Sequence, residues 1–257
     1  NVGSSEAPPW KDGVPISAAC TSQATVVLNE KGKVFMTGTL HGRVFQTWTR
    51  IEIPLPRNCI QVAAGRHFCI ALMASGAVVT WGAGHFGQLG VVRSGSESSA
   101  LTFAAQPVLI ERLLHGYTRS PIVQVAAGSW HGLALTESGQ IWAWGSNRSL
   151  QCGFPQTKTH QSITLPLPIA NLPVVKQIAA GRSHSCALSD TGRVYCWGSS
   201  HFGQCGTGVM TRRGTAGLMP TQVEGLPTSL EMVQVSAGGN HTICLSKAGR
   251  VFTWGDG

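Results

Sequence analysis

The chain is short of charge. Asp, Glu, Lys and Arg make up 12% of its 257 residues, about half the usual share for a soluble domain. Carboxylates are the scarcer sign, 11 against 19 Lys and Arg for a net charge of +8, so little is available for paired-acid catalysis or a carboxylate cage around a hard cation. The basic residues are scattered, with Arg212-Arg213 the only adjacent pair. A dedicated nucleic-acid binder gathers them into a stripe, so nucleic acid or chromatin stays on the list of partners without a signal of its own. No apolar run approaches the roughly 20 residues of a membrane-spanning helix. C-x-x-C, H-E-x-x-H, a nucleophile elbow and a phosphate loop are all missing, which removes the common zinc, metallohydrolase, serine-hydrolase and nucleotide-binding signatures. A non-enzyme without a cofactor is expected. A sustained apolar period of 3.6 is also missing, so helices should be few and short.

What the chain does have is repetition. The phrase QVAAGRHFCIAL at 61–72 returns as QVAAGSWHGLAL at 124–135, QIAAGRSHSCAL at 177–188 and QVSAGGNHTICL at 234–245, with a weaker copy ending at Leu28. Its marker glycines, Gly65, Gly128, Gly181 and Gly238, are 63, 53 and 57 residues apart. That is too long for a helix-pair solenoid and suits a propeller blade. Within each phrase bulky residues such as Phe68/Ile70/Leu72 alternate with small ones such as Cys69/Ala71, the pattern of a strand buried on both faces between stacked sheets. A turn glycine follows each copy, at Gly32, Gly76, Gly139, Gly192 and Gly249, where a hairpin wants positive φ. A second strand then closes on Trp81, Trp144, Trp197 or Trp254, and the chain continues into GQLG at 87–90, LQCG at 150–153 or GQCG at 203–206. Each repeat has three clear strands and room for a fourth, which makes a propeller blade.

These motifs, in this order and over about residues 16–257, resemble the tandem repeat of the regulator of chromosome condensation family. The resemblance implies an all-β fold, a β-propeller of four-stranded blades, with five repeats visible of an expected seven and the ring incomplete. Residues 1–15 read as an N-terminal tail, and the repeats fall near 16–58, 59–121, 122–174, 175–231 and a truncated 232–257. Since the first residue is Asn1, a longer protein or a removed targeting segment is expected. An intracellular location follows, in cytoplasm or nucleus, or in an organelle after loss of a transit peptide. The family includes exchange factors for Ran-type GTPases, chromatin binders, ubiquitin-ligase modules, organellar assembly proteins and an ultraviolet-B photoreceptor, so fold does not settle the role. The photoreceptor's tryptophan-bearing loop is matched only by Trp130, one position late, which argues against light sensing.

The residues that tempt a chemical reading have plainer ones. Seven of the eight cysteines lie in the repeated phrases, mostly in apolar or small-residue columns, and are expected as buried free thiols. His131, His184 and His241 share a column with Phe68 and Ala24, so no common chemistry needs an imidazole there, and a buried, hydrogen-bonded role is expected. Glu30, Glu137 and Asp190 are expected to hold the hairpin backbone. The longest insertion, residues 91–121, carries Ser94, Gly95, Ser96, Ser98 and Ser99 and reads as a surface loop. The GQLG motif is expected to pack the end of one blade against the next.

Strand order then locates a binding face. In an up-and-down blade the first-to-second and third-to-fourth loops emerge on one side and the glycine hairpin on the other. The first loop type carries Arg66, His67, Trp130 and Arg182. The second carries His41, His85, Arg148 and His201 in one repeat column, with Asp256 as its carboxylate. This basic, histidine-rich rim is expected to meet a protein with an acidic or polar surface. The role expected is a protein-interaction scaffold within a larger protein or assembly. A guanine-nucleotide exchange factor acting on a small GTPase, or a chromatin-associated subunit, are the alternatives.

Overall fold

The computed structural model of the protein describes residues 12–55, 58–96, 99–156, 161–212 and 216–256. Residues 1–11 of the expected tail, Ser98, Arg213 and Gly257 lie outside them.

Nineteen strands form five antiparallel sheets in chain order. The first holds β1 (Pro15–Cys20), β2 (Ala24–Asn29), β3 (Val34–Leu40) and β4 (Arg43–Ile51). The second holds β5 (Cys59–Ala64), β6 (Phe68–Met73), β7 (Val78–Ala83) and β8 (Phe103–Leu109). The third holds β9 (Ile122–Ala127), β10 (His131–Thr136), β11 (Ile141–Ser146) and β12 (Ser162–Pro168). The fourth holds β13 (Val175–Ala180), β14 (His184–Ser189), β15 (Val194–Gly198) and β16 (Leu218–Gln222), and the fifth β17 (Met232–Ala237), β18 (His241–Ser246) and β19 (Val251–Gly255). Every sheet is an up-and-down meander. The first strands β1, β5, β9, β13 and β17 neighbour one another in turn around a central axis, and the ring of sheets is not closed.

The two middle strands of the second and third blades are buried along their full length, as are those of the fourth apart from a half-buried Tyr195. That is why their sequences are apolar on one face and small on the other: they sit between sheets, and the core lies between blades. The exception is β18, where His241 and Ile243 are exposed. His241 therefore departs from the expected buried column, because no further sheet covers that face. Cys20 is a second departure: it is exposed on the axis, while the other seven cysteines are buried and all eight are free.

The turns are held differently from expectation. The hairpin glycines have the positive φ anticipated, 81° at Gly76 and 85° at Gly139. In every blade but the second, where Met73 ends the strand, the side chain closing the turn, however, belongs to the last strand residue. Asn29 Oδ1 accepts from Lys33 N at 2.8 Å, Thr136 Oγ1 from Gln140 N at 2.9 Å, and Ser189 Oγ from Arg193 N at 3.0 Å. Glu137 and Asp190, one position later, point to solvent instead. The insertion at 91–121 is likewise not one loop. It contains β8, a 3-10 turn at Glu111–Leu113 and a single helical turn at His115–Thr118.

Three interactions join one blade to the next. First, the GQLG motif lies in the loop after the third strand, not on the final strand, and meets the tryptophan of the following blade. Trp144 Nε1 donates to Gln88 O, Trp197 Nε1 to Gln151 O and Trp254 Nε1 to Gln204 O, each at 2.9 Å. A Cβ on Gly90 would stand 3.0 Å from the Trp144 ring, which is why that position is glycine. Second, a hydroxyl donates to the same carbonyl, Ser185 to Gln151 O and Thr242 to Gln204 O, both at 2.8 Å. With its one proton so used, Ser185 Oγ accepts from His131 Nε2 at 2.9 Å, and Thr242 accepts from His184 Nε2 at 3.0 Å. Both histidines thus donate from Nε2, and burial holds His131 neutral. Third, the glutamine opening the phrase clamps the neighbouring inner strand at Gln61 and Gln124, and Gln177 accepts from Val235 N at 2.8 Å. Gln61 bonds Val125 O and N at 3.0 and 2.9 Å, and Gln124 bonds Ile178 O and N at 3.1 and 2.9 Å. The first blade has no GQLG, and Trp81 Nε1 accordingly has no hydrogen-bond partner among the described residues.

Candidate interaction rim and axial mouth

The sheet topology puts the first-to-second and third-to-fourth loops of all blades on one rim. The first-to-second loops are bound to each other through a shared backbone pattern, to which the Ser22 hydroxyl adds a bond to Arg66 O at 2.8 Å and a contact with His67 Nδ1 at 3.2 Å. Ser22 N donates to Arg66 O at 3.0 Å, Arg66 N to Ser129 O at 3.1 Å, Ser129 N to Arg182 O at 3.3 Å and Arg182 N to Gly239 O at 3.2 Å. At Arg66, Ser129 and Arg182 these bonds fix where the loop side chain starts without consuming the side chain itself.

On this frame six of the eight expected residues come together. The Arg66 guanidinium lies over the Trp130 indole, 5.7 Å from the ring centre, and the His67 ring is 5.4 Å from the same indole. Phe86 meets Trp130 edge-on at 5.2 Å, and the Arg148 guanidinium lies over Phe86 at 5.1 Å. His41 packs at 5.4 Å from His85 and at 5.1 Å from Phe103. Burial first, then the neighbouring Arg66 and His41, hold the His67 imidazole below the usual histidine range. Arg66, Arg148, His41 and His85 are exposed and Trp130 half-buried. Among the described residues of these loops the one carboxylate is Asp256, which sits 3.5 Å from Asn240 Nδ2.

The remaining two residues lie elsewhere. The His201 ring is tied to its own loop, with Nδ1 at 2.8 Å from Thr211 O and 3.0 Å from Thr211 Oγ1. Arg182 stands apart from the aromatic cluster and borders a cavity of about 430 Å³ on the propeller axis. That cavity is lined by the ends of the inner strands and by Ser22, Arg66, Ser129, Arg182 and Gly239, one from each blade. Phe86 and Phe103 were missed by sequence reasoning. Phe86 had a signal in the repeated Phe-Gly-Gln of 86–88 and 202–204, whereas Phe103 had none.

The RCC1-like domain model matches residues 4–257. Protein pim1 of Schizosaccharomyces pombe is 30% identical over 264 residues, covering 92% of this chain and 46% of pim1. The human E3 ubiquitin-protein ligase HERC2 is 28% identical over 251 residues, 93% of this chain but 5% of HERC2. Yeast RCC1, Prp20, solved with Kap60, superposes with a TM-score of 0.78 at 25% identity, covering 97% of this chain and 58% of Prp20. A second structure of Saccharomyces cerevisiae Prp20p, a protein with described binding to Gsp1p and histones, has a TM-score of 0.77 at 24% identity over 95% of this chain and 59% of that one. The chain thus spans about half the length of pim1, and a far smaller share of HERC2. Blades that interlock through Trp-Gly, Gly-Gln-x-Gly and a glutamine clamp, together with a domain match over nearly every residue, place this chain in the RCC1-like domain family.

Proposed function

We propose that this propeller is a protein-interaction module whose rim receives an acidic or polar protein surface. The observation that carries the reading is the cluster of Arg66, His67, Trp130, Phe86 and Arg148, flanked by His41 and His85, with one carboxylate on the described rim. Arginine and tryptophan are enriched where binding energy concentrates, and an uncompensated positive rim steers an acidic partner into place. The rim is a display surface, and nothing in the cluster forms a nucleophile and base pair. The test replaces Trp130 by Ala, and in a second variant Arg66 and Arg182 by Glu, with unchanged melting as the control. Partners recovered from the full-length protein should bind at least about tenfold more weakly, and wild-type affinity should fall with salt. Unaltered affinity in both variants overturns the reading.

A second reading, exchange activity on a Ran-type small GTPase, draws support from the similarity to Prp20, which binds Gsp1p. Nucleotide release from a panel of small GTPases separates the two. Acceleration at catalytic protein concentration favours exchange, whereas binding without release favours the scaffold. Chromatin association is tested in parallel with histones and a DNA duplex.

A further inference from the structure

The axial mouth has a composition that the rim reading does not use. Around the axis the middle residue of each first-to-second loop runs Ser22, Arg66, Ser129, Arg182, Gly239, so arginine alternates with hydroxyl. The backbone ring places Ser129 directly between the two arginines, hydrogen-bonded to Arg66 on one side and Arg182 on the other. Neither guanidinium makes an ion pair with a described carboxylate; the four ion pairs involve other residues. The Arg66 guanidinium lies over the Trp130 ring at 5.7 Å, a contact with the ring face that does not use up its N–H donors, which arginine can offer as a fork to an oxyanion. Two uncompensated cations bordering one cavity repel each other, and an anion between them relieves that cost. A lone carboxylate brings one negative charge and two oxygens, whereas a phosphate monoester brings close to two charges and three acceptor oxygens. Two forked donors with a hydroxyl between them match the phosphate better.

We propose that the axial mouth binds a phosphate monoester carried on a polypeptide, a phosphorylated serine or threonine side chain of the partner that the rim reading invokes. The preference for a side chain over a nucleic-acid backbone follows from shape. The cavity admits a projecting group on the axis, while a phosphodiester is a monoanion embedded in a strand that would have to lie across the rim. The site is preorganised, because backbone hydrogen bonds hold the loops before any ligand arrives, so little ordering cost opposes binding.

The inference rests on the rim reading for its partner but is tested without one. The probes are inorganic phosphate, a short glycine-flanked phosphoserine peptide, the same peptide with glutamate in place of phosphoserine, and a short DNA duplex. Binding is followed by NMR titration of arginine side-chain N–H resonances. Phosphate and the phosphopeptide should bind with Kd on the order of 1 mM or tighter and shift the Arg66 and Arg182 signals, and the glutamate peptide should bind about tenfold more weakly. Arg66→Ala with Arg182→Ala should abolish binding, Arg250→Ala on the opposite face should not, and Ser129→Ala should weaken it about threefold or more. If the double alanine variant is poorly folded, the Arg66→Lys with Arg182→Lys pair, which keeps the charge and loses the fork, should still lower affinity. Absence of phosphate binding, equal affinity for the glutamate peptide, displacement by DNA at comparable concentration, or binding that survives the double variant would each overturn the proposal. Trp130→Ala against a protein partner tests the rim apart from the arginine pair that both readings share, so either can fail without the other.

Discussion

At the scale of single residues, the side chains between blades have the sharpest consequences. Trp144 is fully buried and bonded to Gln88 O. Trp144→Ala should therefore cost about 3–5 kcal/mol, the range for large aromatic truncations in a core, read from the urea midpoint. His131 supplies a pH dependence. Burial first, and then the nearby His184, push its imidazole down to about 3, so the folded protein holds it neutral where the unfolded chain, near 6.5, takes up a proton. Its contribution is complete above about pH 6.5 and is lost progressively as pH falls toward the folded value. Urea midpoints taken between neutral and mildly acidic pH should decline, and His131→Gln should flatten that slope. A wild-type slope retained by the variant would assign the loss to other groups. The tautomer follows from proton counting at Ser185 and should appear as an Nε2-bound proton in nitrogen NMR.

At the scale of the strand, the glutamine clamp has the largest leverage for one side chain. Gln124 closes two hydrogen bonds on Ile178, and Gln124→Ala leaves a strand N–H and a carbonyl to find water at a crowded seam. A loss of about 1–3 kcal/mol is expected, with faster amide exchange at Ile178 than at the equivalent Val125 as the local signature. The repeated phrase showed the strands, hairpins and bulky column plainly, because alternation and turn glycines report backbone geometry directly. It did not show what Gln61, Gln124 and Gln177 do, since their partners belong to a different blade and lie more than fifty residues away. The assignment of turn support to Glu137 and Asp190 failed for a related reason, while Glu30 Oε1 accepts from Val14 N at 3.3 Å, outside its own hairpin. Pleating sends the preceding residue back over the turn and the acidic one outward, so a shift of a single position reverses the role. The rim was half legible. Strand order alone brought Arg66, His67, Trp130, Arg148, His41 and His85 to one side, but it could not show that His201 would be taken by Thr211 or that Phe86 would join Trp130 to Arg148.

At the scale of the whole molecule, the arc of sheets exposes an apolar face on the fifth sheet, where Ile243 is 39% and Val251 60% exposed. This chain in isolation should associate in a concentration-dependent way in sedimentation, and Ile243→Lys with Val251→Lys should reduce that association. A monomer at all concentrations would show that the face is not adhesive. The interlocks also give the molecule a direction. Each blade reaches forward with glutamine and histidine, and reaches back with indole and hydroxyl to the carbonyl of the blade before it. The ring around the axis differs in kind, because its repeated bonds are backbone to backbone and only Ser22 adds a side-chain bond to it. Serine, arginine, serine and arginine occupy equivalent places with the same backbone bonding, so Arg66, Ser129 and Arg182 can be rewritten while the frame keeps its shape. Such a frame separates the alphabet from the page. A lineage could change what the mouth recognises, one letter at a time, without ever having to refold the surface on which it is written.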